Sequence, residues 1–407
     1  MTSRWASFFS ERARRLRASE IRELLKIIEE RKNIISLAGG LPDPRTFPKE
    51  EIAEAARKIV LERGDKALQY SPTKGVAFFL DAVREFLSRN NIAVRRGDDI
   101  IATVGSQQAL YLVAKVFIDP GDYVVTEEPS YLGAINAFRH YDARFLTIPL
   151  DEDGMRTDIL EERVKRAVAE GKRLKMIYTV PTCHNPAGST MPDERRKHLL
   201  EVAEHYDLLV VEDDPYGFIT FSDKPFTALK NLDKTGRVIY MSTMSKILAP
   251  GIRLGWVLAD SEIVAKLELA KQAVDLHTPT LSQFIAGELL RSGLIERRFP
   301  MLRKIYREKR DAMLEALEEN MPEGSRWTRP VGGLFVFVWL PEGINTRKLL
   351  DKALEKGVAY VPGDAFYPNG GGENTMRLNF SYPPVDMIRE GVRRIGEAIR
   401  EMTRGRR

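Results

Sequence analysis

The chain has 407 residues, of which 43% are hydrophobic and 30% are charged, so it is long enough for two or three domains with a sizeable core. Its 63 basic and 58 acidic residues give a formal net charge of +5, which is small and argues against nucleic acid as a partner. No apolar run approaches the roughly 20 residues of a membrane span, and residues 1–17 lack the apolar core of a signal peptide. We therefore expect a cytoplasmic protein that binds neither a membrane nor nucleic acid.

Cysteine and histidine usage limits the possible sites further. Cys183 is the only cysteine, so neither an intrachain disulfide nor a cysteine-rich zinc site is possible. The five histidines have no spacing typical of a metal site, and we expect no metal. Abundant Arg, Lys and Glu favour a protein from a thermophile.

Strand-like and helix-like segments alternate through the middle of the chain. Residues 14–32 have helical periodicity and precede a Gly- and Pro-rich turn at residues 39–44. Seven short apolar runs then alternate with amphipathic stretches, which predicts a mostly parallel sheet with helices on both faces. The predicted strands are residues 99–104, 123–127, 144–150, 175–180, 208–212, 238–241 and 256–259, and the helices include residues 107–117, 157–170 and 193–205.

The last third of the chain mixes long helices with a few strands. The predicted helices are residues 261–276, 281–292, 301–319, 346–356 and 385–402, and the predicted strands are residues 334–340, 359–361 and 376–381. We predict an α/β protein whose large domain has a mostly parallel seven-stranded sheet flanked by helices, plus a smaller α+β domain built from the N- and C-terminal segments. The expected division is residues 1–45 for the N-terminal helix and arm, 46–290 for the large domain and 291–407 for the C-terminal part.

Lys246 is the most informative single residue. It follows the predicted strand 238–241, at a strand exit of the kind where open α/β sheets bind ligands. The hydroxyls of Thr243 and Ser245 and the guanidinium of Arg253 can coordinate phosphate oxygens, and a nearby cation favours a neutral, nucleophilic amine. The pattern indicates a lysine that forms a Schiff base beside a phosphate. The alternative is a solvated loop with ordinary surface charges.

Polar residues with chemical uses follow other predicted strands as well. Ser106 opens a helix whose free amides suit a phosphate, although it is equally a plain helix N-cap. Tyr131 can stack on a planar ring or simply pack within its loop. Asn185, held before a proline, presents a directional amide or makes an ordinary turn.

Two charged features indicate partners of opposite charge. Asp213 and Asp214 end an apolar strand, where burial is costly unless a cation such as a protonated ring nitrogen meets them; a helix N-cap is the alternative for one of the two. Arg377 lies inside an apolar strand, where a substrate carboxylate or an internal salt bridge would satisfy it. Because the carboxyl ends of parallel strands meet along one edge, we expect these residues to converge on one crevice.

These motifs, in this order, resemble the fold-type I pyridoxal-phosphate aminotransferases of class I and II over nearly the whole chain. Within that family the chain is most similar to the group that acts on 2-aminoadipate, aromatic amino acids and kynurenine. The stretches that carry this closer resemblance are residues 18–25, 36–42, 69–72, 105–110 and 370–375.

The resemblance implies pyridoxal 5′-phosphate as cofactor and a role for each matching residue. Lys246 would hold the cofactor as a Schiff base and then move a proton between the substrate carbon and the cofactor. Asp213 would pair with the ring nitrogen, while Tyr216 and Asn185 would bond the ring O3′. Tyr131 would stack on the ring. The residues implied to hold the phosphate are Ser106, Gln107, Thr243, Ser245 and Arg253.

The resemblance also implies the subunit arrangement. Tyr70 would reach the phosphate of the neighbouring subunit, which implies a homodimer with shared active sites. In the sequence itself, Thr243 stands where the family usually has serine, and Cys183 and His184 precede Asn185 where this group more often has an aromatic residue and glutamine.

Substrate binding is implied for five residues. Arg377, with Asn185 and the Gly40 backbone, would bind the substrate α-carboxylate. Ser19 and Arg22, on the N-terminal helix, would meet a distal carboxylate of the substrate side chain.

The implied activity is transfer of the amino group of an L-amino acid to 2-oxoglutarate by a ping-pong mechanism, giving a 2-oxo acid and L-glutamate. The implied donors are 2-aminoadipate, aromatic amino acids, kynurenine, and branched or aliphatic amino acids. A lyase or decarboxylase on the same fold is an alternative, because the same cofactor serves several reactions. A regulator that senses the cofactor is a remote one, since such proteins carry a DNA-binding domain and only thirty-five residues precede Ser36.

Overall fold

A computed structural model describes residues 4–15, 33–222 and 226–404, together with residues 24, 26 and 30. The helix predicted at residues 14–32 therefore lies largely outside the described residues. The helices are α1 (Glu11–Arg15), α2 (Lys49–Ala67), α3 (Ala77–Arg89), α4 (Ser106–Phe117), α5 (Leu132–Arg139), α6 (Thr157–Ala169), α7 (Asp193–His205), α8 (Leu229–Leu232), α9 (Ser261–Asp275), α10 (Thr280–Arg291), α11 (Leu294–Asn320), α12 (Thr346–Glu355) and α13 (Val385–Arg404).

The strands form three sheets, of two, four and eight strands. The strands are β1 (Ile35–Ser36), β2 (Asp98–Thr103), β3 (Tyr123–Glu128), β4 (Arg144–Asp151), β5 (Gly154–Met155), β6 (Leu174–Thr179), β7 (Leu209–Asp213), β8 (Val238–Thr243), β9 (Gly255–Asp260), β10 (Arg326–Trp327), β11 (Phe335–Trp339), β12 (Val358–Ala359), β13 (Val361–Pro362) and β14 (Thr375–Asn379).

The eight-stranded sheet has the order β2-β9-β8-β7-β6-β3-β4-β5. The strands from β8 to β4 along this order pair in parallel. Strand β9 runs antiparallel to both of its neighbours, β2 and β8, and the short β5 forms an antiparallel pair with β4. The prediction of a mostly parallel sheet is confirmed: all seven predicted strands are present, and β5 is the addition.

Helices cover both faces of this sheet because its strands are apolar on both sides. Val211 and Ile239 enter a core shared with α4, α5 and α9. Their neighbours Val210 and Val238 enter the opposite core, shared with α6, α7 and α8. This alternation follows from the period of two along a strand. Both faces are thereby closed to water, and ligand access is left to the strand ends.

A smaller α+β part combines the two ends of the chain. The four-stranded sheet β10-β11-β14-β13 is antiparallel throughout and shares a core with α11, α12 and α13. Strand β1 pairs in parallel with β12, where Ile35 lies opposite Val358. The predicted α+β domain built from N- and C-terminal segments is confirmed by this pairing. The boundaries after residues 45 and 290 stay a prediction.

Two predicted elements differ from those observed. Helix α11 begins at Leu294 and includes Pro300, whereas the prediction started the helix after that proline. Burial of Ile295 and Phe299 on the core face offsets the backbone hydrogen bond that proline removes. The single strand predicted at residues 359–361 is two strands, because Ala359 pairs with β1 while Val361 pairs with β14.

Neither a membrane span nor a metal cluster occurs among the described residues. None of their helices is long and apolar enough to cross a bilayer. Nor are three or more of their His, Cys, Asp or Glu side chains grouped so that they could hold a metal ion.

A buried ion pair joins the turn after β1 to α11 and to the end of β14. Lys309 Nζ lies 2.7 Å from Asp43 Oδ2 and donates to the Ser381 carbonyl at 2.5 Å. Arg45 Nη2 also lies 2.7 Å from Asp43 Oδ2. Although burial alone would raise it, the hydrogen bonds from Arg45 and Lys309 lower the pKa of Asp43 to about 2. The pair therefore stays ionised and fixes the segment that precedes it.

Replacing Asp43 should destabilise the fold strongly. Asp43→Ala leaves the Lys309 ammonium buried without its anion, and we expect the free energy of unfolding to fall by about 3 kcal/mol or more. Denaturant unfolding measures this loss. The matched control is Glu315→Ala, which breaks the Glu315–Arg389 pair, whose side chains are 59% and 46% exposed; its expected cost is under about 1 kcal/mol. Equal losses in the two variants would contradict the prediction.

Candidate active site

The loops after the carboxyl ends of β2, β3, β6, β7 and β8 meet with Gly40 and β14 around one cavity of about 460 Å³. Of the site residues expected from the sequence that the structure describes, all but Tyr70 line it. The expected residues that line the cavity are Gly40, Ser106, Gln107, Tyr131, Asn185, Asp213, Tyr216, Thr243, Ser245, Lys246, Arg253 and Arg377. Five separate loops are thus brought together by the parallel strands that precede them.

Lys246 lies just beyond β8, with its side chain partly buried. Its amine donates to the Gly40 carbonyl at 2.8 Å. Burial, together with the positive charges of Arg377 and Arg253, lowers the pKa of Lys246 to about 8. A larger fraction of this amine is therefore neutral, and nucleophilic, than for an ordinary surface lysine.

Asp213 ends β7 as a buried carboxylate with one free oxygen. Its Oδ2 accepts from the Tyr178 hydroxyl at 2.9 Å. Its Oδ1 is buried, and no hydrogen-bond partner for it exists in the described part of the chain. Burial raises the pKa of Asp213 to about 7. A cationic hydrogen-bond donor would compensate the burial of this free oxygen, and a protonated ring nitrogen in the cavity would be such a donor.

Asp214 has a different role from its neighbour. Its Oδ2 accepts from the Tyr240 hydroxyl at 2.9 Å, and its Oδ1 accepts from the Gly217 amide at 2.8 Å. Both oxygens are therefore satisfied within the protein. Asp214 stabilises the turn after β7, but it is not the helix N-cap considered from the sequence, because Tyr216 is the N-cap of the short 3-10 helix Gly217–Ile219.

Arg377, on β14, is buried between two aromatic rings. Its guanidinium carbon lies 4.2 Å from the Phe335 ring centroid and 5.0 Å from that of Phe366. It donates to Asn185 Oδ1 at 3.0 Å and to the Ala38 carbonyl at 2.8 Å. No carboxylate among the described residues pairs with it, so the internal salt bridge that the sequence left open is absent there. Its uncompensated charge suits the carboxylate of a substrate.

Asn185 and Tyr216 line the cavity, and both lie close to Arg377. The Asn185 side chain accepts from Arg377. The Tyr216 ring stands edge-on to Phe335, with centroids 6.2 Å apart. Burial raises the pKa of Tyr216, which keeps its hydroxyl protonated and able to donate.

The end of the cavity near α4 has the features of an anion site. The N-cap of α4 is Gly105, with φ of 72°, so Ser106 is the first residue of the helix and not its N-cap. Thr243 Oγ1 lies 2.9 Å from Ser245 Oγ. Arg253, with φ of 55°, adds a guanidinium. Free helix amides, hydroxyls and a cation together suit a phosphate.

Of the described site residues that the sequence led us to expect, Tyr70 does not line the cavity. The Tyr70 side chain is 78% exposed, and its ring stands edge-on to His277 with centroids 5.7 Å apart. This exposure leaves Tyr70 available to another subunit. Ser19 and Arg22 lie outside the described residues.

A buried polar pair beside the cavity was not expected from the sequence. Glu127 Oε2 lies 3.9 Å from His184 Nε2, and both residues are buried. Thr179 Oγ1 donates to the other carboxyl oxygen. The Ala187 amide donates to His184 Nδ1 at 3.2 Å, which directs the proton of the neutral ring to the nitrogen that faces Glu127. The bond from the Ala187 amide to the His184 ring stabilises the loop that carries Asn185, while Glu127 Oε2 and His184 Nε2 are too far apart for a hydrogen bond.

The sequence carried a signal for Glu127 but not for the other supporting residues. An acidic side chain at the end of an apolar run is as unusual at Glu127 as at Asp213. Tyr178 and Phe335, in contrast, have the composition of ordinary core strands. Only their contacts with Asp213 and Arg377 reveal that they support the site.

The chain is similar over nearly its whole length to known aminotransferases. Residues 32–395 match the family model for aminotransferase class I and II. The chain is 50% identical over 398 residues to aromatic-amino-acid aminotransferase 1 of Thermococcus litoralis, covering 98% of this chain and 95% of that protein. It is 46% identical over 399 residues to the 2-aminoadipate transaminase of Thermus thermophilus, covering 97% of each. The crystal structure of Pyrococcus horikoshii kynurenine aminotransferase in complex with PMP is 51% identical, with a TM-score of 0.94 and coverage of 97% of this chain and 98% of that chain.

The chain belongs to the class I and II aminotransferases, and its cofactor is pyridoxal 5′-phosphate. Its relatives place it in the aromatic, 2-aminoadipate and kynurenine group. These findings confirm the family and the cofactor predicted from the motifs. The cavity fits the cofactor, because the free Oδ1 of Asp213 can meet a protonated ring nitrogen and Lys246 can react with an aldehyde. The relatives also come from thermophilic archaea and bacteria, as the composition predicted.

The lowered pKa of Lys246 predicts when the cofactor-free protein reacts with pyridoxal phosphate. A lysine amine is nucleophilic only when neutral, so the reaction rate should rise with pH through a midpoint near 8 rather than near the usual 10.5. The visible absorbance of lysine-bound pyridoxal phosphate measures the rate. Arg377→Met removes a positive charge and should move the midpoint up, whereas Arg377→Lys keeps the charge and should leave it unchanged. A wild-type midpoint near 10.5 would show that the amine is an ordinary one.

Proposed function

We propose that the protein transfers the amino group of an L-amino acid to 2-oxoglutarate by a ping-pong mechanism, giving a 2-oxo acid and L-glutamate. The observation that carries this proposal is one cavity with three uncompensated groups: the Lys246 amine, the free oxygen of Asp213 and the Arg377 guanidinium. They match the needs of a reactive aldehyde, a ring cation and a substrate carboxylate, respectively. Bound pyridoxal phosphate supplies the electron sink that weakens the bonds at the substrate α-carbon.

Each residue of the cavity has a separate task in this proposal. When pyridoxal phosphate is bound, the Lys246 amine would hold its aldehyde carbon, with loss of water, until the substrate amine displaces it. The free Lys246 amine would then take a proton from the substrate α-carbon and deliver it to the carbon that came from the cofactor aldehyde. Asp213, oriented by Tyr178, holds a proton on the ring nitrogen. Tyr216 and Asn185 donate to the ring oxygen and keep the reacting atoms in one plane. Tyr131 stacks on the ring face.

The same proposal assigns the binding of phosphate and substrate carboxylate. Arg377, Asn185 and the Gly40 backbone hold the α-carboxylate, so that the α-hydrogen points towards Lys246. Ser19 and Arg22 bind a distal carboxylate where the substrate has one. The residues assigned to the phosphate are Ser106, Gln107, Thr243, Ser245 and Arg253.

We infer a homodimer with shared active sites, in which Tyr70 completes the phosphate site of the partner subunit. The exposed ring of Tyr70 supports this, because most of its surface is left open to a partner subunit. Leu61 and Leu68 of the preceding helical segment are also well exposed, at 68% and 65%.

We further propose that the protein acts in the cytoplasm and that the chain divides into residues 1–45, 46–290 and 291–407.

The proposed donors are 2-aminoadipate, aromatic amino acids, kynurenine, and branched or aliphatic amino acids. The names of the similar proteins support the first three. Leu41, Leu132 and Phe335 add apolar surface to the cavity, which suits a substrate with an apolar side chain. Arg22 then acts as a switch that binds a distal carboxylate or moves aside.

Lys246→Ala should abolish amino transfer. The change removes both the nucleophile and the proton carrier, so the rate should fall by several orders of magnitude. A single half-reaction with glutamate, followed by quantification of 2-oxo acid and aminated cofactor, measures it. Lys266→Ala, at an exposed lysine, is the control and should retain full activity. Retained activity in Lys246→Ala would refute the assignment, and a product other than the stoichiometric 2-oxo acid would indicate a lyase or decarboxylase instead.

A panel of half-reactions should define the substrate. We expect glutamate, 2-aminoadipate, kynurenine, phenylalanine and leucine all to donate. Arg22→Ala should weaken glutamate and 2-aminoadipate about tenfold or more, the value of a charge-assisted hydrogen bond, and leave phenylalanine and leucine nearly unchanged. The ratio of kcat/KM values measures this preference. Equal losses across the panel would show that Arg22 does not read the distal carboxylate.

A further inference from the structure

The first turn of α4 contacts a partly buried polar network formed by Gln108, Asp275 and Lys271. Gln108 belongs to α4, and the other two residues belong to the end of α9. All three lie outside the set of residues that lines the cavity. We propose that this network holds the phosphate-binding loop, which is the turn of residues 104–107 that leads into α4, in its binding conformation. Gln108, Asp275 and Lys271 are then positioning residues for the cofactor phosphate. The inference rests on the proposed function of that loop.

Gln108 fixes the backbone at Val104, directly before the loop. Its Oε1 accepts from the Val104 amide at 2.8 Å, and its Nε2 donates to Asp275 Oδ2 at 2.6 Å. Arg253 donates to the Val104 carbonyl at 3.1 Å from the other side. Both backbone polar groups of Val104 are therefore held. The chain is fixed at the point where it turns into Gly105, whose φ of 72° begins the loop.

Lys271 explains why the Asp275 carboxylate keeps one orientation. The Lys271 side chain has no exposed surface, and its Nζ lies 2.6 Å and 2.7 Å from the two oxygens of Asp275. Burying an ammonium is costly, so a pair in this place must be well formed to persist. The two charged groups immobilise each other, and the Asp275 carboxylate is left aimed at Gln108.

The network thus prepares the loop before any phosphate arrives. With Val104 held from both sides, the free amides of the first turn of α4 keep their direction towards the cavity. Without Gln108 the Val104 amide loses its partner, and the loop must be ordered when the anion binds. That ordering reduces affinity for the phosphate group, and it leaves contacts with the cofactor ring unaffected.

Three probes separate phosphate binding from ring binding in the cofactor-free full-length protein. These are pyridoxal phosphate, pyridoxal, which lacks the phosphate, and inorganic phosphate. Gln108→Met keeps the length of the side chain and removes both hydrogen bonds. We expect Kd for pyridoxal phosphate and for inorganic phosphate to rise about tenfold. Kd for pyridoxal should change less than about twofold. Absorbance titration and calorimetry measure the three constants.

A matched control lies at the opposite end of the strands. Asn231 likewise bridges the backbone, since its Oδ1 accepts from the Ala93 amide at 2.7 Å and its Nδ2 donates to the Asn91 carbonyl at 2.6 Å. Asn231→Leu should leave all three constants unchanged. Lys271→Met should reproduce the phosphate-specific loss, and adding it to Gln108→Met should produce no further loss, because both act through one network. Asp275→Asn provides the same test if Lys271→Met does not fold.

Two results would overturn the proposal. One is an equal loss for pyridoxal and pyridoxal phosphate, which indicates general damage. The other is an unchanged preference for the phosphorylated probe in the network variants. Arg253→Gln distinguishes this failure from that of the proposed function. If Arg253→Gln loses the preference and the network variants keep it, only the positioning role is wrong; if it too keeps the preference, the phosphate assignment itself is wrong.

Discussion

Burial of unbalanced charge at the carboxyl edge of the parallel sheet is the constraint on which the rest of the structure depends. Asp213 has a buried oxygen without a partner among the described residues, and the hydrogen-bond acceptors of the buried Arg377 there are the neutral Asn185 amide and Ala38 carbonyl. Each would cost several kcal/mol if nothing compensated it. A cofactor with a cationic ring nitrogen and a substrate with a carboxylate are the compensating partners. The polar groups of the site are thus in position before any ligand binds, as electrostatic preorganisation requires.

The fold provides this preorganisation by fixing each charged group from behind. Tyr178 orients Asp213, and the His184 ring, which accepts from the Ala187 amide, stabilises the loop of Asn185. The small α+β part contributes Arg377 from β14, and the buried pair of Lys309 and Asp43 holds the segment whose carbonyls meet Arg377 and Lys246. The residues proposed to react therefore lie on strands or in the loops that directly follow them. Positioning of this kind is the larger part of what an enzyme adds to a reactive cofactor.

The apolar and polar sides of the cavity bear on the choice of substrate. In the proposed function, Arg377 binds the one group that all amino acids share, and in that role it cannot discriminate among them. Under that proposal, discrimination is assigned to the apolar residues Leu41, Leu132 and Phe335, which line the cavity, and to the proposed distal-carboxylate residues Ser19 and Arg22. The similar proteins named here act on donors as different as aromatic amino acids and 2-aminoadipate. A site with a fixed carboxylate clamp and an adaptable side-chain region is consistent with that range.

The sequence by itself determined the strand and helix pattern, the family and the cofactor. Apolar strands followed by polar turns are local signals, because each depends on residues adjacent in the chain. It could not determine that β9 runs antiparallel, that Ala359 and Val361 belong to different sheets, or that Gln108, Asp275 and Lys271 form one network. Those features depend on contacts between residues far apart in sequence. The identity of a tyrosine, glutamine or lysine does not show whether its side chain supports a site or packs in a core. Only the tertiary structure decided which of them meet, because burial and hydrogen bonding are properties of the packed chain.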